Sequence, residues 1–213
     1  MLAHAELARL AGAAYRGPWS GRVAIDCKYD LLPRPEEVVV VIPGTNPRDA
    51  VDWIRDADAR PRSFDTVGIC HAGFGSGAEA VFPMVEWATR GETRLLSVVG
   101  HSLGGAMALG VGARLIAAGR RVRIVTFGAP RVAFCLNMAL GRLAWQAGEL
   151  VEYRRAGDPV PHLPTRPFYR HVTGGLEIGS ALPEALGVFD EIVRKIGNHD
   201  IARYAADLAA LGR

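Results

Sequence analysis

Apolar residues in this chain fall into short unbroken runs and longer periodic ones. Val38 to Ile42 is a continuous β-branched run, the pattern of a strand buried on both faces. Leu95 to Val99 and Val122 to Phe127 have the same strand length, and Val23 to Tyr29, Thr66 to Cys70 and Leu150 to Arg154 add further strands. Tyr169 to Thr173 and Leu176 to Ile178 read as a late hairpin about Gly174-Gly175. Helical spacing appears in residues 1–15, where Leu7, Leu10, Ala11, Ala14 and Tyr15 share a face, as expected of a covering helix. It returns from His71 to about Thr89, from Ala106 to Ala118, from Pro183 to Ile196, and after His199 to Leu211. Strands that alternate with helices in this way predict an α/β fold, a mostly parallel central sheet flanked by helices. The 213 residues fit one domain, with no repeat, low-complexity tract or linker to divide them.

One junction between a strand and a helix carries chemistry. Gly100-His101-Ser102-Leu103-Gly104-Gly105 joins the Leu95 strand to the small-residue helix that follows. Strand and helix can approach so closely only if Gly100 and Gly104 lack a Cβ. Ser102 is then expected in a strained turn with its Oγ exposed above the carboxyl edge of the sheet, at a helix N-terminus that favours a developing anion. That is the geometry of a nucleophile elbow.

Composition narrows the field without redirecting it. Half the residues are apolar (49%) and about a fifth charged (22%), as in ordinary globular chains. The net charge of +3 comes almost wholly from Arg, with Lys only at Lys28 and Lys195, and the cations are scattered rather than interleaved with aromatics. Nucleic acid is therefore not an expected partner. Cys27, Cys70 and Cys135 are odd in number and lack C-x-x-C spacing, so free thiols are expected rather than a disulfide framework or a metal site. Gly73, Gly75 and Gly77 lack the Lys and Ser/Thr of a phosphate loop. No apolar run is long enough to span a bilayer, and Glu6 and Arg9 interrupt the N-terminal stretch, so a cytoplasmic protein is expected, leaderless release remaining open.

A serine nucleophile needs a base, and the base needs a carboxylate that fixes its tautomer. Among six histidines, His4 lies in the covering helix, His71 opens a helix where capping suits it, and His101 adjoins Ser102 on the strand end and should pack. His162 follows Asp158 closely and should line the site or fix the acid loop, while His171 sits in a strand. His199 precedes the closing helix. With Asp158 at a strand end, stiffened by Pro159, it completes the order nucleophile, acid, base expected of an α/β-hydrolase. His162 and His171 stand as alternative bases and Asp190 as a rival acid. Thr45, just past the Val38 strand, is placed to donate to an oxyanion, as is the Leu103 amide after the nucleophile. The amphipathic stretch from Pro47 to about Arg60, with Val51, Trp53 and Ile54, is a candidate lid or acyl-site segment, and His162 a further candidate lining residue.

Taken together these motifs resemble the class 3 (fungal-type) lipase family over most of the chain. Gly44-Thr45 with Asp52-Trp53 resembles that family's oxyanion loop and lid-proximal helix, and His71-Ala72-Gly73-Phe74 its H-x-G-F segment. Gly100 to Gly105, Phe127-Gly128-Ala129-Pro130-Arg131-Val132 and Asp158 to Pro164 resemble its elbow, the next strand end and its acid loop. Pro43 and Ala133 depart from the family's usual Arg and Gly. The short span from Asp158 to His199 leaves room for only a brief lid and a small acyl pocket. The resemblance implies hydrolysis of acylglycerols or other acyl esters without metal or organic cofactor, with at most transient contact with a lipid interface. An idle lipase-like binding protein, and an acyltransferase or peptidase using the same triad, are the alternatives.

Overall fold

The computed structural model describes residues 1–24, 27–44, 60–135, 137, 139–181 and 197–213. Helix α1 (His4–Ala13) continues into a 3-10 turn (Ala14–Arg16), followed by β1 (Gly21–Ala24), β2 (Cys27–Pro33) and β3 (Glu37–Ile42). After β4 (Pro61–Phe64) and β5 (Gly68–His71) come α2 (Ala72–Ala88), β6 (Leu95–His101), α3 (Leu103–Ala117) and β7 (Val122–Phe127). The remainder holds β8 (Ala133–Phe134), α4 (Ala139–Gln146), β9 (Glu149–Arg155), a 3-10 turn (Val160–His162), β10 (Tyr169–Arg170), β11 (Leu176–Ile178) and α5 (Ile201–Ala210).

Seven strands form the main sheet in the order β1-β2-β3-β6-β7-β9-β11. From β3 to β11 every pairing is parallel, and β2 and β1 extend it antiparallel at one edge. All six residues of β3 and all six of β7 are buried, because both faces are covered. Alternation sorts their side chains into two cores. Val38, Val40, Ile42, Leu96, Val98 and Ile124 pack with α2 and α3 on one face. Val39, Val41, Val99, Val125 and Phe127 pack with α1 and α5 on the other. Each such side chain contributes about 1.5–3 kcal/mol by leaving water, which holds the strand ends rigid enough to carry a site.

Three sequence expectations are corrected here. The expected strand from Val23 to Tyr29 is a hairpin: β1 and β2 pair antiparallel, with Gly21 opposite Tyr29. A Cβ on Gly21 would meet the Tyr29 ring at 2.3 Å, so glycine lets that ring lie across β1. The late hairpin about Gly174-Gly175 does not form. β10 instead joins a second, antiparallel sheet of order β10-β8-β5-β4, while β11 runs parallel beside β9. Tertiary bonds override the local turn signal: Glu152 in the middle of β9 accepts from the Thr173 amide and hydroxyl and contacts His171 at 3.2 Å, drawing this segment against that strand. The strand expected at Thr66 begins only at Gly68, after a turn with Thr66 at φ 75°, and belongs to the second sheet. The helix expected from Pro183 to Ile196 lies outside the described residues.

Candidate active site

Ser102 stands between β6 and α3 with φ 57° and ψ −130°, one of two described non-glycine residues with positive φ. A side chain at Gly100 would lie 2.2 Å from the Gly104 carbonyl oxygen, and one at Gly104 2.0 Å from that of Ile42. Backbone occupies both places, so no larger residue fits. The Ser102 amide donates to the Phe127 carbonyl at 3.0 Å, which locks the turn against the end of β7.

The expectation that Ser102 would stand exposed is corrected: it is fully buried. Chain after β3 closes over it, since a Cβ on Gly44 would come within 2.7 Å of the His101 carbonyl and 3.1 Å of Ser102 Cβ. Leu103, the first residue of α3, is buried as well. Its position in the first turn leaves its amide without an acceptor inside the helix. Thr45, Val51, Trp53, Ile54 and the rival acid Asp190 lie outside the described residues.

Asp158 and His199, far apart in sequence, meet. His199 Nδ1 lies 2.8 Å from Asp158 Oδ2 with both side chains buried. The carboxylate also accepts from Tyr204 Oη at 2.6 Å and from the Val160 amide at 2.9 Å. Against this pair lies Gly128, at φ 58°, where a Cβ would fall 3.0 Å from Asp158 Oδ2 and 3.1 Å from the imidazole. Glycine is needed there both for the left-handed backbone and for the space. Among the described residues, His199 Nε2 and Ser102 Oγ are each buried without a hydrogen-bond partner. Catalytic hydrogen bonds are often loose without substrate and tighten on binding.

Several groups that hold this arrangement were not read from the sequence. Tyr204, on the inner face of α5, accepts the Arg155 amide at 2.9 Å while it donates to Asp158. Burial, then the neighbouring carboxylate, push its phenol well above the ordinary tyrosine range, so it stays a donor. The buried Arg155 guanidinium bonds Asp207 of α5 at 2.8 Å, Asn198 at 2.7 Å and the Ser180 carbonyl at 2.7 Å, binding the acid strand to the turn that carries His199. Arg131 fixes the acid loop: its guanidinium reaches the carbonyls of His162 and Pro164, and its amide that of Leu163 at 2.7 Å.

The remaining histidines take other places. The His162 side chain is exposed, so its carbonyl rather than its ring helps to fix the acid loop. His71 makes no capping bond and stacks on Phe74 at 3.8 Å between centroids. His171 is committed to Glu152 at 3.2 Å and to the Pro161 carbonyl at 2.9 Å. His101 packs, fully buried, with its ring centroid 4.5 Å from that of His199. Burial and the neighbouring imidazole hold its pKa well below the ordinary 6.5, so it is neutral. Among the described residues no group of three or more His, Cys, Asp or Glu could hold a metal.

The chain is similar to several known lipases. A secreted mono- and diacylglycerol lipase from Fusarium solani is 34% identical over 149 residues, 65% of this chain and 43% of that protein. The matched part thus spans less than half of that relative's length. Lipase II from Rhizopus niveus superposes with a TM-score of 0.59 at 28% identity, over 71% of this chain and 60% of that one. A triacylglycerol lipase from Penicillium expansum shares the fold, with a TM-score of 0.62 at 19% identity over 92% and 87% of the two chains. The model of the family Lipase (class 3) matches residues 39–168, from β3 through the elbow to the acid loop, and the chain belongs to that family.

Proposed function

We propose that this chain is a serine carboxylic-ester hydrolase that works through an acyl-enzyme, with acylglycerols as its substrate class. The observation that carries the reading is the 2.8 Å contact of His199 Nδ1 with Asp158, while His199 Nε2 and the hydroxyl of the strained Ser102 are both buried at the same sheet edge and unpaired among the described residues. Buried polar atoms without partners are rare, and two together suit a site reserved for a reacting group. Membership of the class 3 lipase family supports the ester class. The name of the Fusarium relative supports acylglycerols.

In this mechanism Ser102 Oγ attacks the ester carbonyl carbon as His199 Nε2 takes its proton. Asp158 holds the Nδ1–H and stabilises the imidazolium. Negative charge on the carbonyl oxygen is received by the Leu103 amide at the N-terminus of α3, with Thr45 as the second donor; one such donor is worth about 3 kcal/mol at the barrier. The tetrahedral adduct collapses, His199 returns the proton to the departing alcohol, and water activated by the same imidazole releases the acid. Because the hydroxyl is buried, turnover requires its cover to open. We assign the lid to the stretch carrying Val51, Trp53 and Ile54, on its amphipathic sequence pattern.

Hydrolysis of p-nitrophenyl butyrate, p-nitrophenyl palmitate and a monoacylglycerol by the wild type and by Ser102→Ala tests this. The wild type should release acid and the variant should not. Equal rates in the two would overturn the assignment.

A further inference from the structure

Tyr15, in the 3-10 turn after α1, reaches into the site that the covering helix was expected only to roof. Its hydroxyl lies 2.6 Å from His101 Nδ1, and the other nitrogen of that ring, Nε2, lies 2.9 Å from the His199 carbonyl oxygen. The backbone of Gly44, one residue before Thr45, lies against the same hydroxyl, since a Cβ there would fall 2.8 Å from Tyr15 Oη. A carbonyl only accepts, so the hydrogen of His101 is on Nε2. The ring is buried and neutral, so Nδ1 carries a lone pair and the Tyr15 O–H donates to it. Each hydrogen has one place, because reversing any bond strands a buried polar group.

We propose that Tyr15 and His101 are positioning residues of the hydrolytic site, a one-way hydrogen-bond chain that runs from beside the loop after β3 to the backbone of the base and keeps the second imidazole uncharged beside it. The inference rests on the hydrolase reading above and extends it to two residues outside the triad. During attack His199 becomes an imidazolium, and a second positive ring 4.5 Å away would oppose that charge. The Tyr15 proton occupies the one site where His101 could gain charge. Among the described residues, the other ionisable groups facing this ring are His199 itself and Tyr204, 6.0 Å between ring centroids, with Asp158 behind both and Asp200 acting on Tyr15.

The test compares the full-length wild type, Tyr15→Phe, His101→Gln and the double variant. Nitrogen-15 NMR of the unliganded protein reads the ring directly and needs no substrate. Wild-type His101 should remain neutral with hydrogen on Nε2 across about pH 5 to 8. In Tyr15→Phe its titration should move up by about one unit or more as the blocking donor disappears. A charged or Nδ1–H ring in the wild type, or an unmoved titration in Tyr15→Phe, overturns the proposal; the wild-type spectrum decides even if the variant fails to fold. Ester hydrolysis gives the second reading. Relative to the wild type, Tyr15→Phe should lose about tenfold in kcat at the acid end and less at the alkaline end, with KM little changed. In the His101→Gln background, which has no ring to charge, the same substitution should show no pH dependence. A loss equal at every pH, or a slope that persists in the His101→Gln background, would make Tyr15 a packing residue only. Failure of the hydrolase reading would appear as an inactive wild type and leave the NMR result standing.

Discussion

Tyr204 Oη donates to Asp158 Oδ2 at 2.6 Å, the same carboxylate oxygen that holds His199 Nδ1 at 2.8 Å. The helix that follows the base thus also steadies the acid. Tyr204→Phe removes that donor and leaves the Arg155 amide without its acceptor. We expect a stability loss of about 1–3 kcal/mol from the stranded group. We also expect kcat on a short ester to fall roughly tenfold, because the carboxylate still holds the imidazole but less firmly. Urea unfolding and steady-state kinetics check both; unchanged values would remove Tyr204 from the account.

The elbow makes a steric prediction with an internal control. Gly104→Ala puts a methyl group 2.0 Å from the Ile42 carbonyl, where only backbone can move, and should cost at least about 3 kcal/mol. Gly141→Ala, in α4 with nothing within 4 Å, should instead stabilise by about 0.5–1 kcal/mol through helix propensity. Thermal melting of the two variants shows whether the signs are opposite.

How much of this was legible in the sequence depended on distance along the chain. The elbow was, because strand, glycines, serine and helix lie within a few residues and each demands the next. The meeting of Asp158 and His199 followed from their order and their places at element ends. Tyr15 and Tyr204 were not legible: each reads as one more apolar position on a helix, and their partners His101 and Asp158 stand 86 and 46 residues away. The division of residues 21–33 into two strands depends on Gly21 yielding to the Tyr29 ring, and the failure of the late hairpin on bonds from Glu152. Neither partner is local. Burial of Ser102 was hidden for the same reason, since its cover includes Gly44 from another strand end.

At the amino ends of the strands, far from Ser102, a buried ion pair should govern stability alone. Arg123 on β7 lies 2.7 Å from Glu37 on β3, both nearly inaccessible, and Ser97 on β6 bonds to each of them. The same two charged side chains clasp the Leu2 backbone from either side. Glu37→Gln leaves the buried guanidinium with Glu149, at 3.7 Å, as its remaining counter-charge and should cost about 3 kcal/mol. For a chain of this size that lowers Tm by roughly 10 °C. The kcat of the folded protein should not move. A large loss of kcat with Tm intact would contradict this separation.

His101 also predicts how stability responds to acid. Burial, then its imidazole neighbour, keep its folded pKa well below 6.5, while in the unfolded chain the ring takes a proton near that value. The unfolded state therefore binds more protons, and the contribution of His101 is present above pH 6.5 and lost as pH falls below it. His162, exposed on one side but lowered chiefly by desolvation on the other and then by Arg131, acts in the same direction. Unfolding free energies measured from about pH 8 to 5 should fall more steeply for the wild type than for His101→Gln. Parallel curves would show that the folded ring charges freely.

The most direct measurement of the central claim is the rate at which a fluorophosphonate labels the protein, with the adduct located by mass spectrometry. One adduct on Ser102 is predicted, absent in Ser102→Ala and slower by on the order of 10⁴-fold in His199→Ala, because nucleophile and base act as a unit. An adduct at another residue, or labelling of Ser102 that is indifferent to the loss of His199, would contradict the account.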